Sequence, residues 1–238
     1  MIFFPIKTGI FKKDENLFIF FCTHLSQEIP ENSVLVISSK LVALSQNRIS
    51  QLEISELIHQ ECNNSEKNNS ENSQKILSKT GDFFLTEHSG IIIPNLGIDS
   101  SNSKKGIKIL WPENPQKFAD EFREKLQKKF EIKNIGVVIS DSRITPRRRG
   151  TTGVALAWSG ISGVYDMRGH KDIYGRKLEV STVNIADNIV SGSEILMGQA
   201  DEKTPFILVE NFPEKFFTEK QQNPQDAVIS QEEDLFEV

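Results

Sequence analysis

Two aspartates, Asp99 and Asp141, each close a short apolar run, and each is followed by a hydroxyl residue, Ser100 and Ser142. Carboxylate and hydroxyl oxygens are hard ligands. They hold magnesium or manganese against phosphate oxygens and offset the charge that develops as a phosphoryl group is transferred. Taken singly, an aspartate after a strand is more often a turn former or a helix cap than a ligand. Pro146-Arg147-Arg148-Arg149-Gly150 follows Asp141 closely. Its forked guanidinium groups could grip phosphate or carboxylate oxygens, although a solvated basic loop explains the same run. The segment Arg168-Gly169-His170-Lys171-Asp172-Ile173-Tyr174-Gly175-Arg176 combines charges with two glycines. That pattern suits close approach of backbone to a ligand, and a plain polar hairpin has the same composition. No G-x-x-x-x-G-K-[ST], no Ser-centred G-x-S-x-G and no histidine pair at metal spacing occurs. Any nucleotide is therefore held in an unusual way, and hydrolase and zinc chemistries are disfavoured.

The elements that must position these residues are mixed. Val34-Leu35-Val36-Ile37-Ser38 reads as a buried strand with Ser39-Lys40 just past its end, and Gly90 to Pro94 reads as another that leads into the Asp99 loop. After Asn114-Pro115, which supplies a capping residue and a first-turn proline, Phe118, Phe122, Leu126 and Phe130 recur at fourfold spacing and predict an amphipathic helix. Ile135 to Ser140 is predicted as a strand that delivers Asp141-Ser142 at its end. Leu178 to Ile185 is predicted as a half-buried strand, Ala186 to Leu196 as a short helix stopped at Gly198, and Phe206 to Glu210 as a last strand. The stretch after Gly150 is rich in Gly, Ser and small apolar residues and receives no assignment. Residues 61–74 are so poor in apolar side chains that a mobile polar loop is expected. The acidic end is expected to dock loosely through Leu235 and Phe236.

The 238 residues fit one domain over 1–238, with room for a smaller lobe. A net charge of -5 argues against a surface built for nucleic acid, which disfavours an RNA-binding role for Arg147 to Arg149. The two cysteines, Cys22 and Cys62, match no metal or disulfide pattern, and the opening residues lack a signal peptide. No apolar run is long enough to span a membrane. A cytoplasmic protein is expected.

Taken together in order and spacing, several motifs resemble the coenzyme F-420:L-glutamate ligase family. These are Asn95-Leu96-Gly97-Ile98-Asp99-Ser100-Ser101-Asn102, Ile139-Ser140-Asp141-Ser142 with Arg148-Arg149-Gly150, Arg168-Gly169 through Arg176, and Met197-Gly198-Gln199-Ala200-Asp201. The wording Asp141-Ser142-Arg143 and Trp158-Ser159-Gly160 is similar to a bacterial branch labelled as folate-metabolism gamma-glutamate ligases. The resemblance runs from about Pro5 to Glu210. It implies an α+β, mixed α/β gamma-glutamyl ligase-like fold, an intertwined homodimer, and an amide ligase that adds L-glutamate to a carboxylate acceptor. It further implies GTP or ATP as cosubstrate and magnesium or manganese as cofactor, with potassium as a further candidate ion.

Residue by residue, the resemblance places the metal at Asp99, Asp141, Ser142 and Gln199. It places the nucleotide at Ser39, Lys40 and Asn102, at Met197, Gly198, Gln199, Ala200, Asp201, Glu202, Lys203 and Thr204, and at Gly9 and Ile10. Asp141, Arg148 and Arg149 are the implied catalytic groups. The chain departs from the family pattern at Leu44, where many members have lysine, and at Gln199, where some have glutamate.

Overall fold

The computed structural model describes residues 1–12, 15–68 and 74–236. In chain order the elements are β1 (Ile2–Ile6), α1 (Leu17–His24), β2 (Ser33–Ser38), α2 (Ser39–Ser45), β3 (Ile49–Ser50), α3 (Ile54–Asn68), β4 (Gln74–Thr80), β5 (Phe83–His88), β6 (Ile91–Pro94), β7 (Lys108–Ile109), α4 (Pro115–Phe130), β8 (Ile135–Arg143), β9 (Thr152–Ser159), β10 (Val164–Asp166), β11 (Thr182–Asn184), α5 (Ile185–Met197) and β12 (Phe206–Glu210). The fold is α+β.

A five-stranded sheet in the order β1-β12-β2-β8-β9 forms the centre. β2 and β8 run parallel, in register from Ser33 opposite Ile135 to Ser38 opposite Ser140; the other pairs are antiparallel. Both faces of this sheet are covered, which explains why β2 is apolar without interruption. Leu35 and Ile37 pack with Phe21, Phe122 and Leu126 of α1 and α4 on one side. Val34 and Val36 pack with Ile185, Ile189 and Val190 of α5 on the other. A separate apolar cluster joins Leu57, Ile58 and Cys62 of α3 to Phe84 of the β4-β5-β6 sheet, and to Leu96, Ile98 and Leu110.

β2, α4, β8, α5 and β12 stand where the apolar patterns, Pro115 and Gly198 put them, and β6 covers most of the strand expected from Gly90. Other expectations are corrected. Residues 61–68, expected as loop, continue α3, because Leu57, Ile58 and Cys62 bury one face of it and the polar residues propagate a helix already nucleated. Gln74 opens β4, and 69–73 lie outside the described residues. The unassigned stretch after Gly150 is β9, with Gly153 through Ser159 buried. Small residues are required there: a Cβ on Gly153 would sit 2.5 Å from the Val190 side chain and 2.7 Å from its backbone. Within 178–185 only Thr182–Asn184 is strand, and Val180 is 85% exposed. Leu235 and Phe236 are exposed rather than docked, at 93% and 61%. Asn114 adopts a left-handed conformation and makes no side-chain cap to α4.

Candidate active site

The parallel pair β2 and β8 ends side by side, Ser38 opposite Ser140, at one end of the sheet; the carboxyl ends of parallel strands are where α/β sheets place ligands. β2 hands directly to α2, so Ser39 and Lys40 occupy its first turn. Asp141 and Ser142 lie opposite them, not beyond β8 as expected but still within it, paired with Val154 and Gly153. Past Ser140 the β2 ladder has ended, so Asp141 is held by its pairing with β9 on one side and faces α2 on the other, still a stiffer placement than a loop gives.

Asp99 comes from a loop that crosses this end of the sheet. Asn95, Leu96 and Gly97 take consecutive left-handed conformations, and Asp99 then exchanges two backbone hydrogen bonds with Ile109, at 3.0 and 2.7 Å. Its carboxylate accepts from the Ser101 N–H at 2.7 Å and the Ser101 hydroxyl at 2.8 Å. Lys40 Nζ reaches across to Asp99 Oδ2 at 2.7 Å and to Ser101 Oγ at 2.9 Å.

These groups form one electrostatic unit. Burial pushes the Asp141 carboxyl up to about 6, and the Asp99 charge adds to that, while the Ser142 N–H, the Ser39 hydroxyl and Lys40 work against it. Burial also raises Asp99, but hydrogen bonds from Lys40 and Ser101 and the Lys40 charge outweigh it, leaving Asp99 below the usual carboxylate range. A third carboxylate, Glu194 of α5, is pushed up to about 7 by burial and by the Asp141 charge, opposed by the Gln199 amide and Lys40.

Glu194 was not singled out by sequence reasoning. A signal existed: Asp187 and Glu194 are the acidic residues of α5, two helical turns apart and so on one face. Across from that face, Arg143 of β8 pairs with Asp187 at 3.2 Å, and Asp141 lies close enough to Glu194 to shift it. Gln199 Nε2 donates to Glu194 Oε2 at 2.7 Å, so a carboxylate stands beside the neutral amide.

The segment from Met197 to Thr204 wraps the same end. The Ser140 hydroxyl donates to Met197 Sδ at 3.5 Å, and the Thr204 hydroxyl donates to the Leu196 and Met197 carbonyls at 2.7 and 3.0 Å. Glu202 folds back to accept from the Ala200 N–H at 2.8 Å. Gly9 and Ile10 join this segment through the neighbouring Thr8 N–H, which donates to the Lys203 carbonyl at 2.8 Å. Ser39, Lys40, Asp99, Asp141, Ser142 and Gln199 are thus linked through contacts and charges, whereas the Gly9 N–H turns to His24 Nε2 at 3.1 Å, Ile10 is exposed, and Asn102 stands exposed in the turn next to Ser101. Arg148 and Arg149 lie exposed in the β8-β9 loop, with no side-chain partner among the described residues. The Arg168 and Arg176 charges are taken up locally, by Asp166 at 2.7 Å and Asp172 at 3.0 Å, so both guanidinium groups are spent within the hairpin.

Among the described residues, no three His, Cys, Asp or Glu side chains form a ready-made metal cage. The donor set still fits a hard divalent ion, because magnesium takes one or two protein carboxylates and completes its shell with phosphate and water. Asp99, whose charge raises Asp141, and Asp141, whose charge raises Glu194, with Lys40 paired to Asp99 and its charge felt at the other two, are such a donor set. A cavity of about 1100 Å³ opens beside this cluster; Ile98 and Arg143 line it, whereas Lys40, Asp99, Asp141 and Glu194 do not.

The family model for F420-0:gamma-glutamyl ligase matches residues 5–211. The chain belongs to this family. It is 39% identical over 156 residues to the coenzyme F420:L-glutamate ligase of Methanococcus maripaludis strain C6, a match covering 65% of this chain and 61% of that protein. It is 38% identical over 165 residues to the enzyme of the same name from Methanocaldococcus jannaschii, covering 69% and 64%. With that of Methanopyrus kandleri it shares 38% over 137 residues, covering 57% and 54%. The chain therefore spans less than two thirds of the length of the curated relatives it matches. No helix among the described residues is long and apolar enough to cross a membrane.

Proposed function

We propose that this member of the F420-0:gamma-glutamyl ligase family joins L-glutamate to a carboxylate acceptor, in a reaction driven by GTP or ATP. The supporting observation is the convergence of Asp99, Asp141 and Glu194 on Lys40 at the carboxyl ends of the parallel strands. In this reading an acceptor carboxylate oxygen attacks the terminal phosphorus, and the nucleoside diphosphate leaves. The amine of glutamate then attacks the acyl carbon, and phosphate leaves as the amide forms.

Asp99 and Asp141, with Ser142 and Gln199, would hold magnesium or manganese; a bound ion would supply charge to offset that of the phosphate oxygens. Lys40 adds a second positive charge on the same side, already oriented by Asp99 and Ser101. Ser39, Asn102, the Gly9-Ile10 loop and the 197–204 run would contact the nucleotide, and Arg148 and Arg149 would close on phosphate or substrate carboxylate from the exposed loop. The acceptor is coenzyme F-420-0-like or folate-like. A homodimer belongs to this reading, and the exposed apolar tip at Ile173 and Tyr174 offers a surface for the second copy.

The deciding experiment incubates the protein with GTP or ATP, manganese, L-glutamate and either acceptor, and looks by mass spectrometry for a glutamylated product. Asp141→Asn should abolish product while circular dichroism and oligomeric state stay unchanged. Undiminished product from that variant would overturn the assignment. A second reading, a nucleotide-binding homologue without turnover, is favoured by Leu44, which leaves α2 without a further cation. Steady phosphate release that requires both glutamate and acceptor would eliminate it.

A further inference from the structure

The large cavity holds buried donors that the carboxylate cluster does not use. His88, at the end of β5, is 7% exposed, and its ring rests on Trp111 with centroids 4.2 Å apart. The Gln74 amide nitrogen, 3.0 Å away, can only donate to Nε2, which puts the ring proton on Nδ1. That N–H is buried and has no partner. Beside it, Arg48 donates through Nε to the Trp111 carbonyl at 3.2 Å, and among the described residues no carboxylate lies within ion-pair distance of its guanidinium. The Arg48 charge is felt at His88. On another wall, Arg143 spends Nη2 on Asp187 while its buried Nε is unpartnered. Arg48, His88, Trp111 and Arg143 line one cavity.

Buried N–H groups are rarely left unpaired, and a site built to hydrogen-bond a ligand shows such orphans when the ligand is absent. The cavity's orphans, His88 Nδ1 and Arg143 Nε, are both donors, and Arg48 adds a positive charge that no carboxylate among the described residues pairs. The matching ligand group is an anion with two acceptor oxygens in one plane, which is a carboxylate. An indole wall at Trp111 and a second at Trp158 suit a flat or apolar body attached to it. A volume of about 1100 Å³ is the size that holds a cofactor-sized molecule rather than a single amino acid.

We propose that Arg48 and the Nδ1–H of His88 form a carboxylate-binding subsite, seated against Trp111, for the larger of the two substrates. That the carboxylate comes from the acceptor or from glutamate rests on the ligase reading above; that the corner takes a carboxylate does not.

The chain contains two tryptophans, Trp111 and Trp158, and both line this cavity, so intrinsic fluorescence reports its occupancy directly. The test titrates N-benzoyl-L-glutamate, and separately L-glutamate, into the full chain with no nucleotide or metal present. Saturable quenching by the benzoyl compound and not by glutamate assigns the subsite to the acceptor. Quenching by glutamate at equal or lower concentration keeps the carboxylate subsite and overturns its assignment to the larger substrate. Quenching by neither overturns the proposal.

R48Q should weaken the binding by about ten- to a hundredfold, the range for losing a charged hydrogen bond. R48K should fall between, because it keeps charge and loses the fork. H88F keeps the ring against Trp111 and removes the N–H, so it should weaken binding severalfold with the melting temperature as the folding control. Wild-type affinity in R48Q and H88F together sinks the subsite. Binding without product formation would leave it standing while the ligase reading fails, and unchanged turnover in folded R48Q would do the reverse.

Discussion

The Nζ of Lys40 lies 2.7 Å from Oδ2 of Asp99, joining the first turn of α2 to a loop far along the chain. Both side chains are partly exposed, so the pair contributes little to stability, about 0–1 kcal/mol. What it does is hold a cation among carboxylates that otherwise repel. Lys40→Met should therefore leave the melting temperature within a few degrees of wild type while nucleotide-dependent phosphate release falls roughly a hundredfold, the usual loss for one electrostatic stabiliser. Equal rates in the two proteins would remove Lys40 from the site.

Glu194 gives the opposite signature. Its carboxylate is held up near 7 by burial and by Asp141, so at pH 8 the folded protein keeps two charges together that the unfolded chain separates. Glu194→Gln should stabilise the metal-free protein at pH 8 by up to about 3 kcal/mol, which raises the melting temperature by several degrees for a chain of this size. It should also shrink the further rise that manganese produces, because fewer negative charges face the ion. Calorimetry with and without manganese measures both. An undiminished manganese effect would take Glu194 out of the ion's surroundings.

The contrast between Asp141 and Glu194 shows what the sequence could yield. Asp141 follows an apolar β-branched run, a local pattern that places it at the end of a strand whatever the rest of the fold does. Glu194 sits in a helix whose burial depends on β8 and β9 packing beneath it, and only that packing turns a helix acid into a neighbour of Asp141. The same division holds for the elements. α4 announces itself by fourfold spacing of Phe118, Phe122, Leu126 and Phe130. β9 is missed because its small residues answer to a tertiary demand, the close approach of α5 over Gly153. Residues 61–68 are helical because α3 buries Leu57, Ile58 and Cys62, a support that composition does not reveal. The Arg48-His88 corner joins the turn between α2 and β3 to β5, and no motif connects them.

The acid limb of stability should carry the mark of His88. Burial, with the Arg48 charge assisting, lowers its pKa from 6.5 to about 4, so the folded protein keeps the ring neutral where the unfolded chain protonates it. The unfolded state binds the extra proton, and stability therefore falls as pH drops from about 6.5 towards 4, by roughly 3 kcal/mol from this group. The raised carboxyls of Asp141 and Glu194 act with the opposite sign over the same range, so the wild-type profile alone is a sum. The difference between wild type and H88F isolates the histidine. Urea unfolding at pH 7 and pH 4.5 should show the wild type losing more stability than the variant; parallel losses would mean that His88 titrates normally.

Gly97 tests whether the Asp99 loop is held rigidly. Its φ of 70° follows Asn95 and Leu96 at 53° and 54°, and a Cβ would lie 2.7 Å from the Trp111 ring. Asn95 and Leu96 are bound in place, the former accepting from the Phe84 N–H at 3.0 Å and the latter donating its N–H to the Thr86 hydroxyl at 2.8 Å. The turn thus has little freedom to relax. Gly97→Ala combines a left-handed alanine with overpacking against a buried indole, and should destabilise by about 2–4 kcal/mol. A lower urea midpoint at unchanged slope would report that loss. Because Asp99 lies two residues on and closes its bridge with Ile109 from this turn, activity at temperatures where the variant remains folded should fall as well. A variant with wild-type midpoint and rate would show that Lys40 and Ser101, rather than the turn, fix where the Asp99 carboxylate sits.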